Sequence, residues 1–269
     1  MAFGGNPILQ TLRVVRPRVF LRNAFNRLRR ESDATALARL LPHLYQERIP
    51  FTFFVTAFLI ERETEWIRRL ADQGHEIAVH GYHHCAYAFF TPQAIRDDLT
   101  RARDALARIG LSARGLRPPF LSHHPQTASL AAELGFTYIS GAVGFDYPLY
   151  ANRTAALAPF REPDSGLMQV PITSRSDYDL LAYEQRDITQ AITCWRQEIG
   201  ADATLLFHPL HAGHRDRVEP LLVLWREWRD RFHLVTVSDK LARGEGVALT
   251  MDVGALTKWD LIRALTHCR

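Results

Sequence analysis

Short apolar segments alternate with longer amphipathic segments along most of this chain. The short segments are rich in β-branched and aromatic residues, which is typical of buried strands, and the longer ones repeat their apolar positions with helical spacing. The pattern predicts strands at residues 51–55, 76–80, 115–117, 137–140, 168–172, 204–207, 233–237 and 247–251. It predicts helices at residues 64–73, 91–109, 126–134, 187–199 and 219–231.

This alternation predicts the fold class. Strands that alternate with helices form βαβ units with parallel strands, and a barrel is the natural closure for so many units. We therefore predict an α/β fold, a distorted TIM-like (β/α) barrel of seven or eight parallel strands. The chain has 269 residues, of which 47% are hydrophobic. Because no linker or repeat divides it, we expect a single domain over residues 1–269.

Polar side chains stand where several predicted strands end. His80 and Arg117 end strands, His208 and Asp252 directly follow strands, and Asp177 lies shortly after the strand at 168–172. The carboxyl ends of the strands in a parallel barrel meet at one rim, where active sites form. Histidines, an arginine and acids at one rim are the groups that a metal-dependent hydrolase uses.

Two of these histidines have a spacing that suits a metal ion. His80 and His84 are separated by three residues in the segment GHEIAVHGYHH. Both rings could therefore reach one ion, whereas His83 between them should point elsewhere. Histidines are also common in loops that bind nothing, so the pair alone leaves a metal site and an ordinary loop as alternatives.

Further segments favour the metal site, because together they resemble the polysaccharide-deacetylase (NodB-like, carbohydrate esterase family 4 type) family from about residue 33 to residue 239. The resembling segments are FTFFV at 51–55, GHEIAVHGYHH at 74–84, TPQAIRDDLTRARDAL at 91–106, RPPF at 117–120 and LLFHPLHAG at 205–213. One position departs from the family's H-[ST]-x-x-H motif, because Gly81 stands in place of Ser or Thr.

The resemblance implies a reaction. It implies removal of an N-acyl group, acetyl being the expected one, from a sugar by a metal-dependent hydrolase. A divalent metal, expected to be zinc, would be bound by His80 and His84. His208 would protonate the leaving amine, because an amine anion is not expelled near neutral pH.

The resemblance also implies supporting roles for other residues. Arg117 would orient the catalytic aspartate, and Asp177 or its neighbour Asp179 would orient His208. The residues expected to contact the substrate are Tyr82, Pro119 and Phe120.

The first strand of the family is missing from its usual place. Family members begin with a strand that ends in T-F-D-D-G, and nothing before Asp33 matches it. Residues 247–254, VALTMDVG, resemble this strand. The first and last strands of a closed barrel are neighbours, so residues 247–254 at the end of the sequence could fill the first strand's place. We therefore predict a circular permutation in which residues 247–269 supply the first strand and helix, with a coincidental extra strand as the alternative.

On this hypothesis Asp252 is the catalytic base. Val253 stands where the family has its metal-binding aspartate, and two histidines alone make a poor zinc site. The third ligand could be Asp252 itself, Asp33 or Asp260; otherwise the metal site is weakened.

The basic residues are concentrated near the start of the sequence. The net charge is +4, and residues 1–30 contain seven arginines interleaved with apolar residues and no acid. Such a segment could bind an anionic membrane surface or a lipid-linked glycan, or be a solvated arm. No signature of a nucleic-acid-binding motif accompanies it, so no nucleic-acid partner is expected.

The compartment is predicted from what the sequence does not contain. No apolar stretch is long enough for a membrane-spanning helix, and no secretory signal is evident. Three cysteines, Cys85, Cys194 and Cys268, are too few for a disulfide framework, and we expect them to be thiols. We therefore expect a cytoplasmic protein, in contact with the membrane surface if residues 1–30 bind lipid.

Two other functions remain open from the sequence. A catalytically silent, carbohydrate-binding relative would explain Val253 and the displaced Asp252. An amide hydrolase that acts on a small non-sugar substrate would share the fold and differ in its pocket. Metal content would separate the silent relative from the enzymes.

Overall fold

The computed structural model describes residues 32–147, 149–150 and 152–254. Within these residues nine strands form one curled sheet. The strands are β1 (Thr52–Val55), β2 (Glu76–Val79), β3 (Gly115–Leu116), β4 (Tyr138–Ile139), β5 (Phe160–Arg161), β6 (Met168–Gln169), β7 (Thr204–Phe207), β8 (Leu234–Val235) and β9 (Val247–Val253).

Eight of the nine strands are parallel, which confirms the predicted α/β class. The sheet order is β5-β6-β4-β3-β2-β1-β9-β7, and β8 also pairs with β9. The exception is β5, which pairs antiparallel to β6 and was not predicted. The two sides of the sheet approach each other where Thr173 donates a backbone hydrogen bond to the Thr204 carbonyl over 2.9 Å. The sheet therefore curls into a barrel-like shape.

Helices follow most strands. In the described part of the chain the α-helices are α1 (Asp33–Glu47), α2 (Ala57–Arg62), α3 (Thr64–Asp72), α4 (Pro92–Arg108), α5 (Thr127–Glu133), α6 (Ile188–Glu198), α7 (Pro209–Ala212), α8 (Val218–Arg231) and α9 (Val237–Arg243). Two 3₁₀ turns lie at Tyr87–Phe89 and Pro119–Leu121, and a π-helix spans Tyr178–Tyr183. Within the described residues no helix combines the length and the apolar character needed to cross a membrane.

The alternation of side chains along each strand divides the core into two layers. Side chains of successive residues point to opposite faces of a sheet. Phe53 and Val253 belong to the large cluster that the helices also join, whereas Phe54 and Ala248 belong to a smaller cluster inside the curl of the sheet. Because Asp252 is opposite Phe54 in the pairing of β1 and β9, its side chain faces the interior.

Strand β9 occupies the centre of the sheet. It pairs in parallel with β1 on one side and with β7 and β8 on the other, and all seven of its residues are buried. It extends to Val253, two residues beyond the predicted end. Strand β8 is shorter than predicted, because Thr236 caps the helix that begins at Val237.

Candidate active site

Two histidines face each other at the carboxyl end of β2. His80 is buried, and its Nδ1 lies 2.8 Å from the carbonyl oxygen of Arg117. A carbonyl only accepts, so Nδ1 carries the proton and Nε2 has its lone pair for a ligand. The Nε2 atoms of His80 and His84 are 3.1 Å apart. Burial lowers the pKa of His80, which favours the neutral form that binds metals.

The donor set fits a metal ion in part. Two imidazole nitrogens that face each other suit two positions of a tetrahedral site. In the part of the chain that the structure describes, no group of three or more His, Cys, Asp and Glu side chains is arranged to hold a metal. The predicted ligand set of His80, His84 and Asp252 is therefore not formed as a unit, because Oδ1 of Asp252 is bound by Arg117 and its Oδ2 lies 3.7 Å from His80 Nε2.

Of the two other candidate ligands, only Asp33 lies within the described residues. Asp33 begins α1, and no ion pair between described residues joins it to His80 or His84. Asp260 lies outside the described residues. His83 points elsewhere, as predicted, since its ring packs against Phe58 with 5.9 Å between the ring centroids.

Arg117 is fully buried and holds the end of β9. Its Nη1 donates to Oδ1 of Asp252 and to Oγ1 of Thr250, both at 2.8 Å. Its Nε and Nη2 donate to the carbonyl and the hydroxyl of Ser140, and its guanidinium lies 4.1 Å from the ring centroid of Phe54. These bonds fix the guanidinium in one orientation, and that orientation fixes the carboxylate.

Asp252 lies beside both His80 and Arg117, although β9 is remote from them in sequence. Burial raises the pKa of its carboxyl, but Arg117, followed by His80 and His208, outweighs burial, so the pKa lies below its ordinary value. The carboxylate is therefore ionised near neutral pH. Gly254, two residues further on, leaves room for His84, because a Cβ on Gly254 would lie 3.0 Å from His84 Cδ2.

His208 forms a tight pair with Asp177. Its Nδ1 is 2.6 Å from Oδ1 of Asp177, and its backbone N–H donates to Oδ2 of the same carboxylate over 2.7 Å. Asp177 is fully buried, whereas His208 is partly exposed. A carboxylate that accepts from Nδ1–H holds the imidazole in one tautomer and directs Nε2 outward.

The neighbouring Asp179 serves a different set of bonds. Its carboxylate accepts from the hydroxyl of Tyr150 and from the backbone and hydroxyl of Ser176, all within 2.9 Å. Burial raises the pKa of Asp179 to about 6. Of the two aspartates proposed as partners of His208, the structure pairs Asp177 with it. Both aspartates stand at the start of the π-helix Tyr178–Tyr183, a rare element that is frequent at functional sites.

The expected substrate-contacting residues separate into two groups. Phe120 is half exposed, and its ring centroid is 4.4 Å from that of His84. Its φ of 59° is unusual for a residue other than glycine, and such strain often marks functional sites. Pro119 precedes it and is buried. Tyr82 is engaged elsewhere, because its hydroxyl donates to Glu61 over 2.6 Å and its ring stacks under Arg101.

Three polar residues that hold the site were not predicted from the sequence. Ser140 and Thr250 bind Arg117, and Asp98 binds the loop between His80 and His84. Ser140 ends a predicted strand, and Thr250 stands two positions before Asp252 on the same face of β9. Both could therefore have been predicted, whereas Asp98 lies within a helix that gave no such signal.

The expectation of three free thiols is wrong for Cys85. Cys85 is disulfide-bonded, while Cys194 is a buried free thiol. The predicted cytoplasmic location stays a prediction. Residues 1–30, predicted to bind an anionic surface, also lie outside the described residues.

The histidine pair, Arg117 with Asp252, and His208 with Asp177 therefore lie at the carboxyl ends of the strands of a barrel-like sheet. Comparison with known families adds that residues 31–139 match the polysaccharide deacetylase model. This match covers β1, β2, His80, His84 and Arg117, and it confirms the resemblance seen in the sequence motifs. The matched region belongs to the polysaccharide deacetylase family.

Curated relatives resemble the same part of the chain. The peptidoglycan-N-acetylmuramic acid deacetylase PdaA of Bacillus subtilis is 28% identical over 109 residues, which are 40% of this chain and 41% of that protein. The chitooligosaccharide deacetylase of Bradyrhizobium is 28% identical over 106 residues, which are 39% of this chain and 48% of that protein. The similarity therefore spans less than half of either relative.

A solved structure resembles a larger part of the chain. A Mycobacterium smegmatis protein classed as a polysaccharide deacetylase superposes with a TM-score of 0.68 and 27% sequence identity, over 78% of this chain and 77% of that one. This coverage extends well beyond residues 31–139. The similarity in fold therefore includes parts of the barrel that the family match does not reach.

Proposed function

We propose that this protein is a metal-dependent hydrolase that removes an N-acyl group, acetyl first among the candidates, from an amino sugar of a glycan. One observation carries the proposal. A histidine pair, an arginine-bound aspartate and a histidine–aspartate pair come together at the carboxyl rim of one barrel, although Asp252 is 172 residues from His80 in sequence. The family match supports the choice of a deacetylation.

The chain supplies a base and an acid for amide hydrolysis. Asp252, ionised and held by Arg117, would take a proton from the attacking water. His208, oriented by Asp177, would give a proton to the departing amine. The base must be ionised and the acid must carry a transferable proton. The pKa of Asp252 lies below its ordinary value, which meets the first condition.

His80 and His84 would hold the divalent metal, with zinc as the expected ion. Bound there, the metal would supply Lewis-acid polarisation of the acyl carbonyl and a more acidic water. Among the described residues these two histidines would be the ligands, and water would occupy further positions of the coordination. Val253 cannot contribute a ligand, because it is a buried apolar residue of the large cluster that the helices also join.

We also propose that the strand order is circularly permuted relative to the family. Strand β9 lies between β1 and β7, and Asp252 near its end and Gly254 directly after it are the positions at which VALTMDVG resembles the family's T-F-D-D-G strand. If this strand were a coincidental addition, there would be no reason for it to place an aspartate within hydrogen-bond distance of Arg117. The whole chain would then form one deacetylase domain.

The substrate is proposed to be a glycan that presents an acylated amino group to the rim. Phe120 offers an exposed aromatic face beside His84, on which the apolar face of a sugar ring could stack. The arginines of residues 1–30 favour an anionic carrier, such as a lipid-linked phosphate or an anionic membrane surface.

The test is acetate release. Purified protein, supplied with zinc, is incubated with N-acetylated chitooligosaccharides, peptidoglycan fragments and N-acetylated small amides. Release from either glycan class supports the proposal. Release only from small non-sugar amides would support the amide hydrolase instead, and glycan binding without release would support a catalytically silent relative.

A further inference from the structure

Asp98 lies in the first half of α4 and is almost completely buried, at 7% exposure. Its carboxylate accepts hydrogen bonds from the loop that joins His80 to His84. Oδ2 accepts from the backbone N–H of Tyr82 over 2.8 Å, and Oδ1 accepts from the backbone N–H of His83 over 3.3 Å. The carboxylate thus binds the peptide groups directly before His84.

A second residue completes this arrangement. Tyr87, which is fully buried, donates its hydroxyl to Oδ2 of Asp98 over 2.7 Å. On its other side the same loop is bound by α2, because the N–H groups of Ala57 and Phe58 donate to the carbonyls of Gly81 and Tyr82. The loop is therefore held between two helices.

Gly81 is the residue that permits this packing. Its φ is +75°, a conformation that disfavours other residues. A Cβ at this position would lie 2.9 Å from the carbonyl oxygen of His83, 3.0 Å from the hydroxyl of Tyr87 and 3.2 Å from Oδ2 of Asp98. A Ser or Thr side chain, as in the motif that this segment resembles, has no room here.

We propose that Asp98 is a positioning residue for the metal site, and that Asp98 and Tyr87 together fix His84 relative to His80 in place of a hydroxyl-bearing residue at position 81. This inference rests on the proposed function. His80 is fixed by its strand and by the Arg117 carbonyl, whereas His84 depends on the loop. A buried carboxylate on a long helix gives that loop a rigid support.

The experiment compares three variants with the intact protein. Asp98→Asn keeps the shape of the side chain but replaces one acceptor oxygen by a donor, and Tyr87→Phe removes a single hydrogen bond. Asp97→Asn is the matched control, because Asp97 is the exposed neighbour and binds Gln93 on the same helix. Amide hydrogen exchange is measured for the peptide that contains residues 81–85, with a peptide from β7 as the internal reference.

The backbone amides of Tyr82 and His83 should exchange at least about 10-fold faster in Asp98→Asn than in the intact protein. Their exchange in Tyr87→Phe should be intermediate. It should be unchanged in Asp97→Asn, and the β7 peptide should be unchanged in every variant. Zinc affinity, measured by competition with a chromophoric chelator, should fall about 10–100-fold in Asp98→Asn, as is typical when a residue that orients metal ligands is lost. Equal exchange in Asp98→Asn and Asp97→Asn would overturn the inference.

The two readouts separate this inference from the proposed function. If the intact protein bound no zinc and released no acetate, the proposed function would fail, yet the exchange comparison would still decide whether Asp98 fixes the loop. If zinc binding and acetate release were normal in Asp98→Asn, the positioning role would be wrong and the proposed function would stand. If Asp98→Asn failed to fold, Tyr87→Phe would carry the same comparison.

Discussion

Arg117 and Asp252 are joined by a hydrogen bond of 2.8 Å between Nη1 and Oδ1, although 135 residues separate them in sequence. The arginine is fully buried and the aspartate nearly so. Removing one member of a buried pair leaves an uncompensated charge and costs several kcal/mol. The pair therefore ties the end of β9 to the rim, and with it the proposed base.

The first prediction concerns the proposed general acid. His208→Ala should lower kcat about 10²–10⁴-fold, the range typical of general acid–base catalysis, and leave zinc content unchanged. His214→Ala is the control, because this more exposed histidine pairs with Asp216 instead. Loss of zinc from His208→Ala would make His208 a ligand and contradict its role as an acid.

Asp177 should act through the same histidine. Asp177→Asn can no longer accept from both the ring and the backbone N–H of His208 as a carboxylate does. Its effect on kcat should therefore not add to that of His208→Ala in the double variant. Additive losses in kcat would show that the two residues act independently.

The second prediction concerns the metal. His80→Ala and His84→Ala should each lower the zinc content of the purified protein, measured by elemental analysis, because each removes one of two facing nitrogens. His83→Ala should retain zinc, since its ring packs against Phe58. Equal retention in all three variants would refute the metal site, and removal of zinc from the intact protein by a chelator should abolish acetate release.

The third prediction concerns stability against pH. His75 is buried, its Nδ1 accepts from the backbone N–H of Phe51, and burial lowers its pKa to about 4. The unfolded chain binds a proton at His75 near pH 6.5, whereas the folded protein does so only near pH 4. Neutral His75 therefore makes its full contribution to the free energy of unfolding above about pH 6.5. This contribution is lost as the pH falls to about 4.

This loss should amount to roughly 3 kcal/mol of unfolding free energy between these limits, at about 1.4 kcal/mol per pKa unit. His75→Asn keeps an acceptor near the position of Nδ1 and does not titrate. Urea unfolding of both proteins at pH 4.5 and 6.5 provides the measurement. The decrease on acidification should be smaller in His75→Asn, and equal decreases would contradict the assignment to His75.

The fourth prediction concerns residues 1–30. Deleting them should weaken binding to vesicles that contain anionic lipid, and salt should weaken binding of the intact protein, because exposed charges are screened. Vesicles of neutral lipid serve as the control. Unchanged sedimentation with anionic vesicles after the deletion would contradict the proposal that residues 1–30 bind an anionic surface.

The sequence predicted the strands that are buried along their whole length better than the others. For 204–207 the predicted bounds agree with β7, and for 51–55 they differ from β1 by one residue. The antiparallel β5 was missed because two residues with little burial give no periodic signal. The helix Val237–Arg243 was missed because its first residue also continues the apolar run of β8.

The residues of the site could likewise be predicted from the sequence only in part. His80, His84, Arg117 and His208 could be found because each belongs to a short motif at the end of a strand. Asp98 could not, since its role depends on the left-handed turn at Gly81 and on the approach of Tyr87. The described residues also lack a third metal ligand, and this could not be predicted. It depends on side-chain orientation, and the sequence does not reveal that Arg117 takes up one oxygen of Asp252.

The central claim is that β9 delivers the catalytic base, and the direct measurement is acetate release by Asp252→Asn beside the intact protein. Asn keeps the shape and an acceptor for Arg117, so far-ultraviolet circular dichroism and zinc content should be unchanged. Thr250→Ser, which keeps a hydroxyl beside Arg117, is the control on the same strand. The account predicts that the intact protein and Thr250→Ser release acetate from an N-acetylated glycan and that Asp252→Asn releases it at least about 10²-fold more slowly; comparable rates for Asp252→Asn and the intact protein would contradict it.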